Sequence, residues 1–142
     1  MTALRIYADF NGLVRGPRNQ HREAVVLDTF GSLRDLSNLG VVLSEGLPLI
    51  AVDASDEVED LEGHGTAEYD RTNKWWVVEF DEIGVRYVTT GPRVQINKFL
   101  CVQCRAPFPD PTPAGVLKKG SVCASCGTSP LAAYAEPSLG KK

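Results

Sequence analysis

GTAEYDRTNKWWVVEF, residues 65–80, is the stretch that decides the fold. Arg71-Thr72-Asn73-Lys74 is a polar break between two runs that suit a pleated surface. That pattern predicts a β-hairpin with strands at 65–70 and 75–80. Neighbouring residues of a strand point to opposite faces. Trp76, Val78 and Phe80 therefore form a candidate core row, and Trp75 shares the other face with Val77 and Glu79. Trp75 is then either covered by another part of the chain or exposed as a partner-binding residue, and Tyr7 poses the same alternative.

The segments before and after the hairpin read as β too. Leu4, Ile6, Ala8 and Phe10 alternate with Arg5, Tyr7, Asp9 and Asn11, a half-buried strand closed by an Asn11-Gly12 turn. Residues 14–22 form a polar loop around Gly16-Pro17, and 24–27 a second strand. A short helix follows, with Ser32 as its cap, Asp35 three places on, Leu33, Leu36 and Leu39 on one side, and Gly40 at its end. One longer helix over 23–39 is the alternative, opposed by Gly31 and by Val25-Val26. Residues 48–52 are a strand and 53–62 an acidic loop. Ile83, Val85 and Tyr87 alternate in another strand, and Val94, Ile96 and Leu100 suggest one more that runs into Cys101. About six short strands and one short helix imply a mainly β domain over residues 1–92. Its shape is a small barrel or a strongly bent sheet, and an SH3-like barrel is the specific expectation.

The chain has 142 residues, 43% of them apolar, enough for one core plus a small appendage. No run approaches the ~20 apolar residues of a membrane helix. Met1-Thr2-Ala3-Leu4-Arg5 lacks the basic-then-apolar order of a secretory leader, so a cytoplasmic location is expected. Thiols stay reduced there, and paired cysteines read as a metal site before they read as disulfides. Charge divides the chain as well: residues 1–91 carry 8 basic and 16 acidic side chains, residues 92–142 carry 7 and 2. The acidic front part repels phosphate backbones; the rear part does not.

The rear part holds Cys101-Val-Gln-Cys104, then 18 residues, then Cys123-Ala-Ser-Cys126-Gly127. A Cys-x-x-Cys turn delivers two sulfurs from one bend, and two such turns complete a tetrahedral shell. Gly127 suits a turn that needs positive φ, while Arg105 stands after the first pair. Arg105, Lys118 and Lys119 can offset the charge of four thiolates. Four Cys leave no open position, so the expected role of the metal is structural, with Zn2+ as the ion. Residues 107–113 place Pro at every second position and are extended. Residues 129–142 have few large apolar groups and are expected to form a flexible tail.

The cysteine pattern resembles the zinc-ribbon family over residues ~99–128, and the rubredoxins more distantly. The resemblance implies two hairpin knuckles around one ion, all four Cys being ligands, and a ribbon domain spanning 93–128. Rubredoxins would bind iron; they usually show Pro in the second knuckle and an aromatic cluster, where this chain has Ala124-Ser125 and only Phe99 and Phe108 close by. The front part resembles small uncharacterised bacterial proteins through Ile6-Tyr7-Ala8-Asp9-Phe10-Asn11, Gly31-Ser32-Leu33-Arg34-Asp35-Leu36 and Glu68-Tyr69-Asp70 leading to Trp76-Val77-Val78. That likeness brings no activity with it.

Other chemistry is thin. Asp60, Glu62 and His64 are a candidate second metal site, set against a solvated loop; His21 lies in a polar loop. No base–nucleophile pair or Gly-rich phosphate loop is visible, so a non-enzymatic role is expected. The first hypothesis is binding of a protein partner by the acidic loop or the Trp75 face. The second is binding of RNA or DNA through Arg93, Lys98, Phe99, Arg105, Phe108, Lys118 and Lys119, as zinc ribbons of transcription and translation factors often do.

Overall fold

The computed structural model describes residues 3–53, 59–89 and 97–137. Its centre is one six-stranded mixed sheet in the order β1-β4-β5-β6-β3-β2. The strands are β1 (Leu4–Tyr7), β2 (Leu13–Arg15), β3 (Glu23–Val26), β4 (Pro48–Asp53), β5 (Glu59–Asp70) and β6 (Trp75–Thr89); the helix α1 is Phe30–Leu39. Only β1 and β4 pair in parallel, with Leu4 opposite Leu49 and Tyr7 opposite Val52. A parallel pair needs a long crossover. Here the β2–β3 hairpin and α1 fill it.

The expected hairpin is present and longer than its hydrophobic runs. Asp70 pairs with Trp75 at the turn, and the ladder continues to Glu59 opposite Thr89. The separate strand expected around Ile83 is thus the outer half of β6. Between Gly63–Val85 and Gly65–Phe80 the register slips, leaving Asp81–Gly84 as an insertion opposite His64. Asp81 holds it, accepting from the N–H groups of Ile83 and Gly84 and pairing with Arg86 at 2.9 Å. The strands come very close here: a Cβ on Gly65 would lie 1.8 Å from the Glu79 carbonyl oxygen. Glycine therefore lets the hairpin bend.

The sheet is open. β1 and β2 are its two edges and do not pair with each other. The SH3-like barrel is therefore corrected to an open, bent sheet. Alternation of period two is the same in both, and closure depends on long-range pairing that local pattern does not encode.

One face of the sheet buries Ile6, Leu49, Ala51, Ala67, Trp76, Val78 and Phe80 in one apolar cluster with Leu33 and Leu36 of α1, which packs along β1. The expected core row of Trp76, Val78 and Phe80 holds. Each large side chain so buried contributes about 1.5–3 kcal/mol. α1 starts earlier than expected: Thr29 is its cap, accepting from the Ser32 N–H. Ser32 instead donates to the Tyr7 carbonyl at 2.5 Å, and Asp35 accepts from the Tyr7 N–H at 2.8 Å. The apparent capping pair therefore ties α1 to β1. Gly40, at φ 70°, closes the helix as expected.

Two loop expectations are corrected. Leu13–Arg15 is a strand, pairing with β3 at the edge of the sheet. Of the acidic loop, 54–58 lie outside the described residues, but Asp53, Asp60 and Glu62 are buried members of β4 and β5. Long strand pairing overrides the low β propensity of acidic residues. The tail is also tied down over its described part, 129–137. A short turn at Ala132–Tyr134 buries Ala133, whose carbonyl accepts from the Leu43 N–H at 3.0 Å. Trp76 Nε1 donates to the Ala135 carbonyl at 3.1 Å, and the Tyr134 hydroxyl to the Thr29 carbonyl at 3.1 Å. Small side chains and backbone carbonyls do this, and composition does not show it.

Candidate metal centre

The last third of the described chain builds two turns of the same design. In the first, Cys101 N–H bonds to the Ala106 carbonyl at 2.8 Å and Arg105 N–H to the Cys101 carbonyl at 3.0 Å. In the second, Cys123 N–H bonds to the Thr128 carbonyl at 2.9 Å and Gly127 N–H to the Cys123 carbonyl at 2.8 Å. Each bend requires a left-handed residue at the same place, Arg105 at φ 72° and Gly127 at φ 77°. Glycine does this without strain and arginine does not. A bridge between Leu100 and Pro107 and a bond from Phe108 N–H to the Phe99 carbonyl extend the first turn into a short hairpin. A single helical turn, α2 (Pro113–Val116), capped by Thr112, lies between the two.

The turns bring all four sulfurs within 4.8 Å of one another. Cys101 Sγ is 3.6 Å from Cys126 Sγ, and Cys104 Sγ is 3.5 Å from Cys123 Sγ. Four sulfurs at ~2.3 Å around one ion would be ~3.8 Å apart. A disulfide would need ~2.05 Å. The arrangement therefore fits a metal ion such as zinc, and among the described residues these four side chains are the one group of three or more suited to hold one.

The surroundings favour thiolate at Cys123 and Cys126. Gln103 and Cys104 N–H groups point at Cys101 Sγ, at 3.4 and 3.5 Å. Amides of Cys126 and Ser125 hold the Cys123 thiol below its ordinary range. The Thr128 hydroxyl, 3.0 Å from Cys126 Sγ, and the Thr128 N–H bring that thiol down to about 6. The Ala106 N–H also favours a Cys104 thiolate, but hydrogen bonding to Cys123 and burial outweigh it and push this thiol up to about 12. Four thiolates this close would need a cation among them. Cys101 and Cys123 are buried in the hydrophobic core, while Cys104 and Cys126 face solvent.

Arg105 is not where the sequence reading placed it. Its guanidinium reaches away from the sulfurs to the end of α1 and donates to the Ser37 carbonyl at 2.8 Å and to the Asn38 carbonyl. Lys98 is exposed, as are Lys118 and Lys119 in the loop after α2. The two lysines border a cleft of about 460 Å³ that reaches Phe108 and Val122. Trp75 is half-buried opposite Asp70, and Tyr7 lies against Gly31 of α1. Arg93, Val94 and Ile96 lie outside the described residues. Asp60, Glu62 and His64 do not form a three-ligand site; His64 and Arg5 instead take the two oxygens of Glu62, at 3.0 and 2.6 Å. A larger cleft, about 590 Å³ between the 14–20 loop and the β5–β6 turn, is remote from the cysteines in the sequence. Within it Arg18 pairs with Glu68 and Arg71 with Glu45.

Three contributors escaped the sequence reading. Thr128 was detectable as a hydroxyl two places after the last cysteine. Phe30 adds a third ring to the pair noted near the cysteines: Phe99 stacks on it at 5.8 Å and meets Phe108 edge-on at 5.1 Å. Asn38 had no local signal. No protein-family model, curated protein or solved structure matches the chain.

Proposed function

We propose that the four cysteines hold one structural zinc ion, and that the protein works without catalysis as a zinc-ribbon module for a protein partner in the cytoplasm. The carrying observation is the closed sulfur set, within 4.8 Å and contributed by two matching turns. Four thiolates fill the tetrahedron of zinc and leave no position for substrate. The likeness of residues 101–127 to zinc ribbons supports the same reading. Partner binding draws on the outer half of β6, where Ile83 is 64% and Tyr87 72% exposed beside the acidic Glu82. Large apolar groups at such a surface suit a protein interface. Trp75, being half-buried, is the weaker anchor.

Capture of the tagged protein's partners, with and without nuclease, tests this. A protein partner that survives nuclease and is lost on Ile83→Glu with Tyr87→Glu supports it. Loss of every partner on nuclease favours the second reading, nucleic-acid binding. That reading draws on exposed Lys98, Lys118 and Lys119, with Arg105 removed from the patch. It requires binding that weakens steeply with salt and is lost on Lys118→Glu with Lys119→Glu.

A further inference from the structure

Arg105 presents two costs with no local return. Its backbone holds a left-handed conformation that Gly127 occupies at the matching place in the second turn. Its side chain, though the residue stays exposed, is fixed in one geometry across the end of α1, where a Cβ on Gly40 would come within 3.0 Å of Nη1. What it gains is a pair of bonds to the carbonyls of Ser37, which also accepts from the Gly40 N–H, and of Asn38, at the end of the helix. A cation at a helix C-terminus is favourable in charge as well.

Asn38 completes the join. Its side-chain amide donates to the Lys98 carbonyl at 3.1 Å and accepts from the Leu100 N–H at 2.7 Å, as a neighbouring strand would. The last turn of α1 is thus bonded on both sides of Cys101, at 98–100 and at 105. Arg105 itself is fixed by the first cysteine turn, through its N–H to the Cys101 carbonyl.

We infer that Arg105 is a positioning residue through which metal occupancy at the cysteines is transmitted to the C-terminal end of α1. The inference rests on the reading of those cysteines as a zinc site. With the ion in place, the first turn is rigid and Arg105 clamps the helix end. Without it, the turn loosens, Arg105 leaves its strained backbone state, and the carbonyls of Ser37 and Asn38 open to water.

Amide hydrogen exchange on the full chain, zinc-loaded and zinc-free, reads this at Gly40 and Val41, whose N–H groups close the helix onto Ser37 and Leu36. Zinc removal should speed their exchange by about tenfold or more. In Arg105→Gly the response should fall below about twofold, while zinc affinity stays equal or tightens because glycine suits the backbone there. Asn38→Ala, which leaves the turn untouched, should also blunt the response at constant zinc affinity. Exchange in the wild type that ignores zinc, or a full response in Arg105→Gly, overturns the coupling. A large loss of zinc affinity in Arg105→Gly also overturns it, by placing the residue's role inside the turn. A wild type that binds no zinc removes the metal reading itself, and the coupling with it.

Discussion

Between β4 and β6 the chain buries Leu49, Ala51, Ala67, Trp76, Val78 and Phe80 in one continuous sheet face. Between Cys101 and Thr128 it buries only Cys101 and Cys123 and the side chains of Val102, Phe108 and Val116. The first region has area enough to fold by the hydrophobic effect, and the second does not. Yet the two share a core, because Phe99 stacks on Phe30 and Cys101 and Cys123 lie in the same apolar cluster. On the proposed metal reading, sheet and cysteine segment therefore rest on different forces across a common boundary, and each can be perturbed by itself.

The largest effect expected is from the metal. Structural zinc contributes ~10–16 kcal/mol in small peptides. Chelation, or Cys123→Ser, should collapse the NMR dispersion of residues 101–127 while the β4–β6 amides keep their shifts. Ribbon shifts retained in metal-free protein would erase the contrast between the regions.

Trp76→Ala attacks the other side. It empties a core position and removes the donor to the Ala135 carbonyl, and should cost about 3–5 kcal/mol in urea unfolding. Zinc stoichiometry should stay at one per chain in the folded variant. Gly65→Ala should cost less, about 1–3 kcal/mol, as strands that pass too close for a Cβ are forced apart. An unchanged unfolding midpoint would show that the bend does not depend on that close approach.

The smallest effect is electrostatic. Burial pushes the Glu62 carboxyl up, but hydrogen bonds and charge from His64 and Arg5 outweigh it and hold the group below its ordinary range. A carboxyl lowered by folding stabilises the protein at neutral pH and loses that contribution as pH falls through its folded value. Glu62→Gln should flatten the acid limb of the stability curve by about 1 kcal/mol or less, leaving zinc binding unmoved. An identical acid limb would mean the trio contributes nothing.

The cysteine cluster was far more legible than the fold around it. Ligand spacing is a local property, so the positions of all four Cys in two matching turns followed from the sequence. The hairpin at 65–80, the core row of Trp76, Val78 and Phe80, and the cap at Gly40 were legible for the same reason. What escaped depends on distant partners. The parallel pairing of β1 with β4 leaves no trace in alternation. Burial of Asp60 and Glu62 in β5 is set by the strands beside them. Arg105 read as a counter-charge for thiolates because the carbonyls it serves are 67 and 68 positions away.

Zinc K-edge X-ray absorption on the purified full chain tests the central claim most directly. Thiolate organisation of the last third requires four sulfur neighbours at about 2.3 Å and no light-atom ligand. Nitrogen or oxygen in the shell, or a protein isolated free of metal with its cysteines joined as disulfides, would contradict it.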